Sequence, residues 1–117
     1  MARHLEDGAW AERLARRHLE RQGLKFVEKN FSTRFGEIDI VMRDKDTLVF
    51  VEVRLRRNTR FGHPAESIDR GKMERLRRTA ESYLDICGVP TACRFDVVAI
   101  TGTRETQTTE WIPNAFC

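Results

Sequence analysis

Apolar and polar positions along the chain follow two different spacings. In the segments 7–22 and 70–87 the apolar residues recur every three or four positions, which is typical of amphipathic helices. The second segment has Asp69 as a candidate N-cap, Gly88 after its last turn, and an apolar stripe formed by Met73, Leu76, Ala80, Tyr83 and Cys87. Runs of β-branched and aromatic residues predict strands at 25–31, 35–44, 47–57 and 93–101, then a loop at 102–109 and a short edge strand at Trp111-Ile112.

The predicted order is α-β-β-β-α-β, which suits an α/β sandwich with a mixed central sheet. A length of 117 residues favours a single domain spanning residues 1–117. No apolar run reaches the ~20 residues of a membrane span, and the N-terminus lacks the apolar core of a signal peptide. We therefore expect no membrane association and a cytoplasmic location. The cysteines Cys87, Cys93 and Cys117 form no C-x-x-C pair, which argues against a zinc site or a disulfide framework.

The hairpin at 35–57 contains the sharpest chemical signal. A two-residue loop at 45–46 places Asp39 opposite Glu52 and Glu37 opposite Arg54. Adjacent carboxylates on apolar strands are costly unless positive charge lies between them, and hard divalent cations prefer oxygen ligands. Arg54 follows Glu52 by two positions and shares its face. The pattern indicates a divalent-cation site; the alternative is a pair of solvated carboxylates that contact nearby arginines.

Two further residues have positions from which they can reach this site. Glu12 borders the buried stripe of the first helix and can reach the sheet, although the residues alone favour a helical salt bridge to Arg16. Lys72 lies in the first turn of the second helix, where a cation opposes the helix dipole, and this unfavourable position favours a functional role. Asp96, next to Arg94, is interpreted as a structural partner of an arginine or a backbone donor.

Basic residues are clustered rather than evenly spread. The chain has 21 Lys and Arg residues, with concentrations at 13–21, 54–60 and 70–78. Such clusters attract phosphates, although they are also common on solvated helix faces. For nucleic-acid contact we expect Arg56, Arg57, Arg60, Lys72 and Arg75.

The segments 36–40 (GEIDI) and 49–54 (VFVEVR) resemble the bacterial UPF0102, or YraN, family, and the resemblance runs nearly end to end. That family is similar to the PD-(D/E)xK nuclease superfamily. The resemblance therefore implies a restriction-endonuclease-like fold and hydrolysis of DNA phosphodiester bonds. It also implies that Mg²⁺ or Mn²⁺ is held by Asp39, Glu52 and Glu12. The likeness to Holliday-junction resolvases in the same superfamily suggests branched DNA from repair or recombination as a substrate, and a homodimer.

One position departs from the family pattern, because Arg54 stands where the motif lysine is usual. A guanidinium stays protonated and cannot act as a general base, but it can stabilise negative charge on a phosphate. Some superfamily relatives carry this lysine on a helix, so Lys72 is the candidate replacement. The expected catalytic set is Asp39, Glu52, Arg54 and Lys72. Two other hypotheses remain open, namely an inactive nucleic-acid-binding module with the same fold and a protein-interaction subunit.

Overall fold

The computed structural model describes residues 2–60, 62–89 and 91–116, and their side chains from Gly8 onward. These residues form a five-stranded sheet, two α-helices and one short 3₁₀ helix at Pro64–Ser67. In chain order the main elements are α1 (Ala2–Arg21), β1 (Lys25–Thr33), β2 (Gly36–Asp44), β3 (Thr47–Arg56), α2 (Arg70–Cys87), β4 (Cys93–Gly102) and β5 (Gln107–Phe116).

The strands lie in the order β1-β2-β3-β4-β5. Neighbouring strands are antiparallel except β3 and β4, which run parallel and are joined through α2. Parallel neighbours need such a crossover connection, whereas antiparallel neighbours can be joined by tight turns. The predicted α/β architecture with a mixed sheet is confirmed at this level.

Each face of the sheet is covered by one helix. Ala15 and Leu19 of α1 pack with Met42, Val51 and Val98, among others, and we call this cluster the α1-side core. On the opposite face α2 completes the α2-side core, whose main members are Ile38, Val41, Leu48, Phe50, Leu76, Tyr83 and Phe95. Strands β2, β3 and β4 contribute to both clusters, which explains their near-continuous apolar runs.

The predicted limits of α2 are confirmed. The Asp69 side chain accepts a hydrogen bond of 2.8 Å from the Lys72 N–H, and Gly88 ends the helix with a φ of 75°. The predicted apolar stripe is wrong at its last position, since Cys87 is exposed. Thr79 is buried alongside this stripe. Its hydroxyl can be buried because it donates a hydrogen bond of 2.8 Å to the Arg75 carbonyl.

Two predicted element limits need correction. Helix α1 begins at Ala2 rather than at residue 7, in a polar stretch that carries no apolar spacing. The predicted loop at 102–109 is wrong from Gln107 onward, where a ten-residue strand begins. Its residues are intermediate or exposed. Backbone pairing with β4 at the sheet edge, rather than burial, therefore determines this strand.

Candidate metal centre

The candidate site lies where β2 and β3 separate. The predicted hairpin register is confirmed from the Asp44–Thr47 pair to the Ile40–Val51 pair, where the described ladder ends. Ile38 packs in the α2-side core and Ile40 in the α1-side core, although residues two apart share a face in a regular strand. Strand β2 therefore rotates at the residue between them, Asp39.

Asp39 occupies the gap left by this rotation. Its Oδ2 atom accepts a hydrogen bond of 2.8 Å from the Val53 N–H of β3, so a side chain takes over a strand-to-strand bond. The predicted neighbour Glu52 is close enough to form a carboxyl–carboxyl hydrogen bond with Asp39. The two carboxylates thus meet across the gap between the strands rather than in a regular ladder pair.

A third and a fourth carboxylate complete the centre. Oxygen atoms of Glu12, Glu37 and Asp39 all lie within 4.8 Å of one another. Glu12 comes from α1, and its proposed salt bridge to Arg16 is not formed, because Arg16 Nε contacts Glu20 Oε2 at 3.3 Å.

Glu37 was not predicted as a site residue. The expected pairing of Glu37 with Arg54 is not formed, because the described ladder between β2 and β3 ends at the Ile40–Val51 pair; Glu37 pairs only with Ser32 on β1 and Arg54 only with Ala99 on β4. The Ser32 hydroxyl donates to Glu37 Oε2 at 2.9 Å. The two-residue spacing between Glu37 and Asp39, which places both on one face of an ordinary strand, was the signal that could have identified it.

Crowding of these carboxylates raises their affinity for protons. Burial, and then the proximity and hydrogen bond of Glu52, raise the pKa of Asp39 from 3.8 to about 8, while the Val53 N–H opposes the change. Burial also raises the pKa of Glu12, followed by the charge of Glu37, whereas Lys29 acts in the opposite direction. The centre therefore holds more negative charge than it can stabilise by itself.

Glu52 is the most buried of the four carboxylates, with a side chain 5 % exposed. Its Oε2 atom lies 3.3 Å from Arg54 Nη2 and 3.4 Å from Lys72 Nζ. Its Oε1 atom is buried and accepts no hydrogen bond from an N–H or hydroxyl donor among the described residues, although the Asp39 carboxyl lies within hydrogen-bonding reach of Glu52; Arg54 Nε is likewise buried without an acceptor. An unsatisfied buried acceptor costs about 1–3 kcal/mol.

The residues present fit a hard divalent cation. All the converging side chains offer carboxylate oxygens, the ligands that Mg²⁺ and Mn²⁺ prefer. The Oε1 atom of Glu52 offers one ligand position, and Asp39 and Glu12 offer others. A bound cation would also remove the repulsion that raises the pKa of Asp39.

Comparison with known proteins identifies the family. A model described as the uncharacterised protein family UPF0102 matches residues 11–100. The chain belongs to this family. It is 54% identical over 114 residues to a UPF0102 protein of Yersinia pseudotuberculosis serotype O:1b, covering 95% of this chain and 94% of that relative. A UPF0102 protein of Yersinia pestis bv. Antiqua, strain Angola, matches to the same extent, with 54% identity over 114 residues.

In this UPF0102 chain the residues predicted to contact nucleic acid lie at the end of β3, in the loop that follows it, and on α2. Arg56 at the end of β3 and the following Arg57 and Arg60 are exposed. Arg75 is exposed on α2, one turn beyond Lys72. Lys72 joins this basic surface to the carboxylates through its contact with Glu52. Within the described residues, no helix is long and apolar enough to cross a membrane.

Asp96 has the structural role that its sequence context indicated. It is fully buried and accepts from Arg94 Nε at 3.0 Å, from Trp111 Nε1 at 2.9 Å and from the Asn114 N–H at 2.9 Å. Arg94 also contacts Asp44 Oδ2 at 2.9 Å. In this UPF0102 protein Asp96 therefore connects β5 to β4 through hydrogen bonds and is not part of the carboxylate centre.

Proposed function

We propose that this chain is a single-domain, metal-dependent nuclease with a restriction-endonuclease-like fold, which hydrolyses phosphodiester bonds of DNA. One observation carries the proposal. Carboxylates around Asp39 converge from α1, β2 and β3, and the buried one, Glu52, has an oxygen without an N–H or hydroxyl donor and two adjoining cations. A structural ion-pair network has no need of an unsatisfied buried acceptor, because such an atom destabilises the fold.

Each residue of the centre has a distinct part in this mechanism. Asp39, Glu52 and Glu12 would hold Mg²⁺ or Mn²⁺, and Glu37 would add a further oxygen donor on the Glu12 side. When bound, such an ion would polarise the phosphate as a Lewis acid and lower the pKa of a water molecule. The Val53 N–H fixes the orientation of the Asp39 carboxylate.

Arg54 and Lys72 act on the phosphate rather than on the proton of the attacking water. Both cations are anchored by Glu52 Oε2, from a strand and from a helix respectively. Arg54 stays protonated, so it cannot accept a proton, but it stabilises the negative charge that develops on the phosphate during attack. Lys72 contributes a second positive charge from the first turn of α2.

The basic surface supplies the sequence-independent part of DNA binding. Arg56, Arg57, Arg60 and Arg75 contact the backbone in this proposal, which predicts affinity that falls steeply with salt. Branched repair or recombination intermediates are the proposed substrates, bound by a homodimer. A cytoplasmic location belongs to the same proposal, because the free cysteines Cys87 and Cys93 suit a reducing compartment.

A catalytically inactive nucleic-acid-binding module is the second candidate. One contact favours it: Lys72 Nζ and Arg54 Nη2 both contact Glu52 Oε2, so both cations serve the same carboxylate. In that case the basic surface binds DNA and the centre contributes only to the fold. Turnover separates the two candidates.

The test is a calorimetric titration of Mn²⁺ into the wild type and into an Asp39→Ala/Glu52→Ala variant. A matched control replaces two exposed acids of α2, as Glu81→Ala/Asp85→Ala. The same proteins are then incubated with linear, single-stranded and four-way DNA at low salt. We expect saturable Mn²⁺ binding and metal-dependent cleavage by the wild type and the control, with both lost in the first variant.

Other outcomes separate the alternatives. Metal binding without cleavage supports the inactive module and points to Arg54, which Arg54→Lys then tests. A wild type that binds no Mn²⁺, even with DNA present, refutes the nuclease proposal.

A further inference from the structure

A pocket of about 210 Å³ lies beside the carboxylate centre on its α1 side. Its polar and aromatic lining comes from α1 and β1 and consists of Glu12, Arg13, Arg16, Phe26, Lys29 and Asn30. Glu12 belongs both to this pocket and to the carboxylate centre. A molecule in the pocket therefore lies immediately next to whatever is bound at the centre.

The charge of the pocket suits a phosphate-bearing ligand. Arg13 and Lys29 are exposed, and no ion pair ties either of them to another described residue. Lys29 lines the pocket together with Glu12, and its positive charge opposes the rise in the pKa of that carboxyl. The positive charges of Arg13 and Lys29 therefore offset part of the negative charge of the neighbouring carboxylates, which would otherwise repel a nucleic-acid strand.

The pocket also contains a preformed stacking surface. The Arg16 guanidinium lies over the Phe26 ring, with Cζ 3.6 Å from the ring centroid. Glu20 holds the same guanidinium through its Nε at 3.3 Å. Because two partners fix its plane, Arg16 can accept a flat ring on its outer face without losing further side-chain freedom. Arginine planes and aromatic rings are the surfaces on which proteins stack unpaired bases.

Asn30 adds a group that can contact the edge of such a base. It has a left-handed backbone, with a φ of 55°, and its side-chain amide offers both donors and an acceptor. With the stacking pair and the two cations, the pocket therefore presents the three kinds of contact that a nucleotide makes. Its volume is smaller than the roughly 300–1,000 Å³ of pockets that enclose drug-sized ligands, which suits one base rather than a larger molecule.

We propose that this pocket binds one unpaired nucleotide adjacent to the phosphate held at the carboxylate centre, with its base on Arg16 and its phosphate between Arg13 and Lys29. The inference rests on the proposed nuclease function and specifies its substrate class. A base within a duplex is stacked on both faces and cannot enter a pocket. The substrate therefore has a single-stranded segment or an unpaired end at the position of cleavage.

The experiment follows the fluorescence of one aminopurine base placed in a run of thymines. The full chain is titrated into this DNA strand, into the RNA strand of the same sequence, and into a fully paired duplex. Each titration is made once with a chelator and once with Ca²⁺, which takes the same oxygen ligands. Stacking on Arg16 quenches the fluorescence of the single strands, whereas the duplex shows no change. The strand that binds more tightly distinguishes DNA from RNA.

Two variants test the individual contacts. Arg16→Lys keeps the charge and the contact with Glu20 but removes the planar surface, and we expect quenching to be lost with roughly tenfold weaker binding. Lys29→Gln removes one phosphate contact, so the slope of log affinity against log salt falls by about 1. Arg17→Lys and Lys25→Gln are the matched controls, because both residues are exposed and neither lines the pocket. We expect both controls to behave as the wild type.

The outcomes for the pocket and for the nuclease are distinct. Quenching by the wild type that is lost in Arg16→Lys supports the pocket, whether or not the protein cleaves DNA. Equal quenching by wild type and Arg16→Lys, or equal response to single strand and duplex, overturns it. Absence of Mn²⁺-dependent cleavage with intact quenching refutes only the nuclease.

Discussion

Replacing Asp39 with asparagine removes a buried charge but keeps the shape of the side chain and an oxygen that can accept from the Val53 N–H. In the wild type, burial and Glu52 raise the pKa of Asp39 from 3.8 to about 8. At a pH between these two pKa values, Asp39 keeps its proton in the folded chain but has released it in the unfolded chain. The stability contributed by the neutral acid is therefore complete below pH 3.8 and is lost as the pH rises towards about 8.

The size of the effect follows from the same values. Each pH unit in this window is worth about 1.4 kcal/mol, which sets an upper bound of roughly 6 kcal/mol. The ionisation of Asp39 is coupled to that of its neighbour, so only part of this bound should appear as a stability difference. We therefore expect Asp39→Asn to be nearly as stable as the wild type near pH 4 and about 2–4 kcal/mol more stable near pH 8.

The assay is urea unfolding in the presence of a chelator, repeated in steps from about pH 4 to about pH 9. Asp85→Asn, an exposed position on α2, is the matched control, and its difference from the wild type should not change with pH. Adding Mn²⁺ at about 100 times its dissociation constant should stabilise the wild type by about 2.7 kcal/mol and the Asp39 variant by less. A difference in unfolding free energy between Asp39→Asn and the wild type that stays constant across this pH range would refute the reasoning.

Three further predictions concern single side chains. Glu37→Gln should weaken Mn²⁺ binding by roughly tenfold in calorimetry, because it removes one charged oxygen donor. Glu81→Gln, on the exposed face of α2, should leave the affinity unchanged. Equal affinities of the two variants would exclude Glu37 from the site. Asp96→Ala should lower the free energy of unfolding in urea by about 3–5 kcal/mol, because it leaves buried donors unpaired, while the Mn²⁺ affinity stays unchanged. A loss below about 1 kcal/mol would contradict the role of Asp96 in holding β5. Arg54→Lys should keep Mn²⁺ binding and lower the rate of DNA cleavage by roughly tenfold, because lysine keeps the positive charge but loses the planar pair of donors that suits a phosphate. A faster rate in Arg54→Lys would contradict the role of Arg54 on the phosphate.

The parts of the fold that could be predicted are those fixed by local chemistry. The two-residue loop determined the β2–β3 register, and Lys45 adopts the positive φ of 56° that such a turn requires. The limits of α2 followed from Asp69 and Gly88. The length of β5 was underestimated because its first residues, 107–110, are polar and lie at the sheet edge, where pairing with β4 needs no hydrophobic alternation in the sequence.

The carboxylate centre was predicted only in part, because the prediction assumed regular strands. Regular alternation put Glu37 beside Arg54 and Asp39 in a ladder pair with Glu52. The rotation of β2 at Asp39 instead turns Glu37 towards Glu12. The strand alternation does not indicate this rotation, although the two-residue spacing of Glu37 and Asp39 indicated a shared face. Lys72 could be connected with the site through its unfavourable position at the helix N-terminus, but its contact with Glu52 depends on how α2 packs on the sheet.

The arrangement divides charge between the two sides of Asp39. Towards α1 lie the carboxylates of Glu12 and Glu37, and towards α2 the single carboxylate of Glu52 is contacted by Arg54 and Lys72. One cation would neutralise Glu52, so the second leaves the α2 side positive. A divalent ion would reduce the excess negative charge on the α1 side. A phosphate would reduce the excess positive charge on the α2 side. Because each ligand balances the charge that the other leaves, metal and nucleic acid should bind more tightly together than separately.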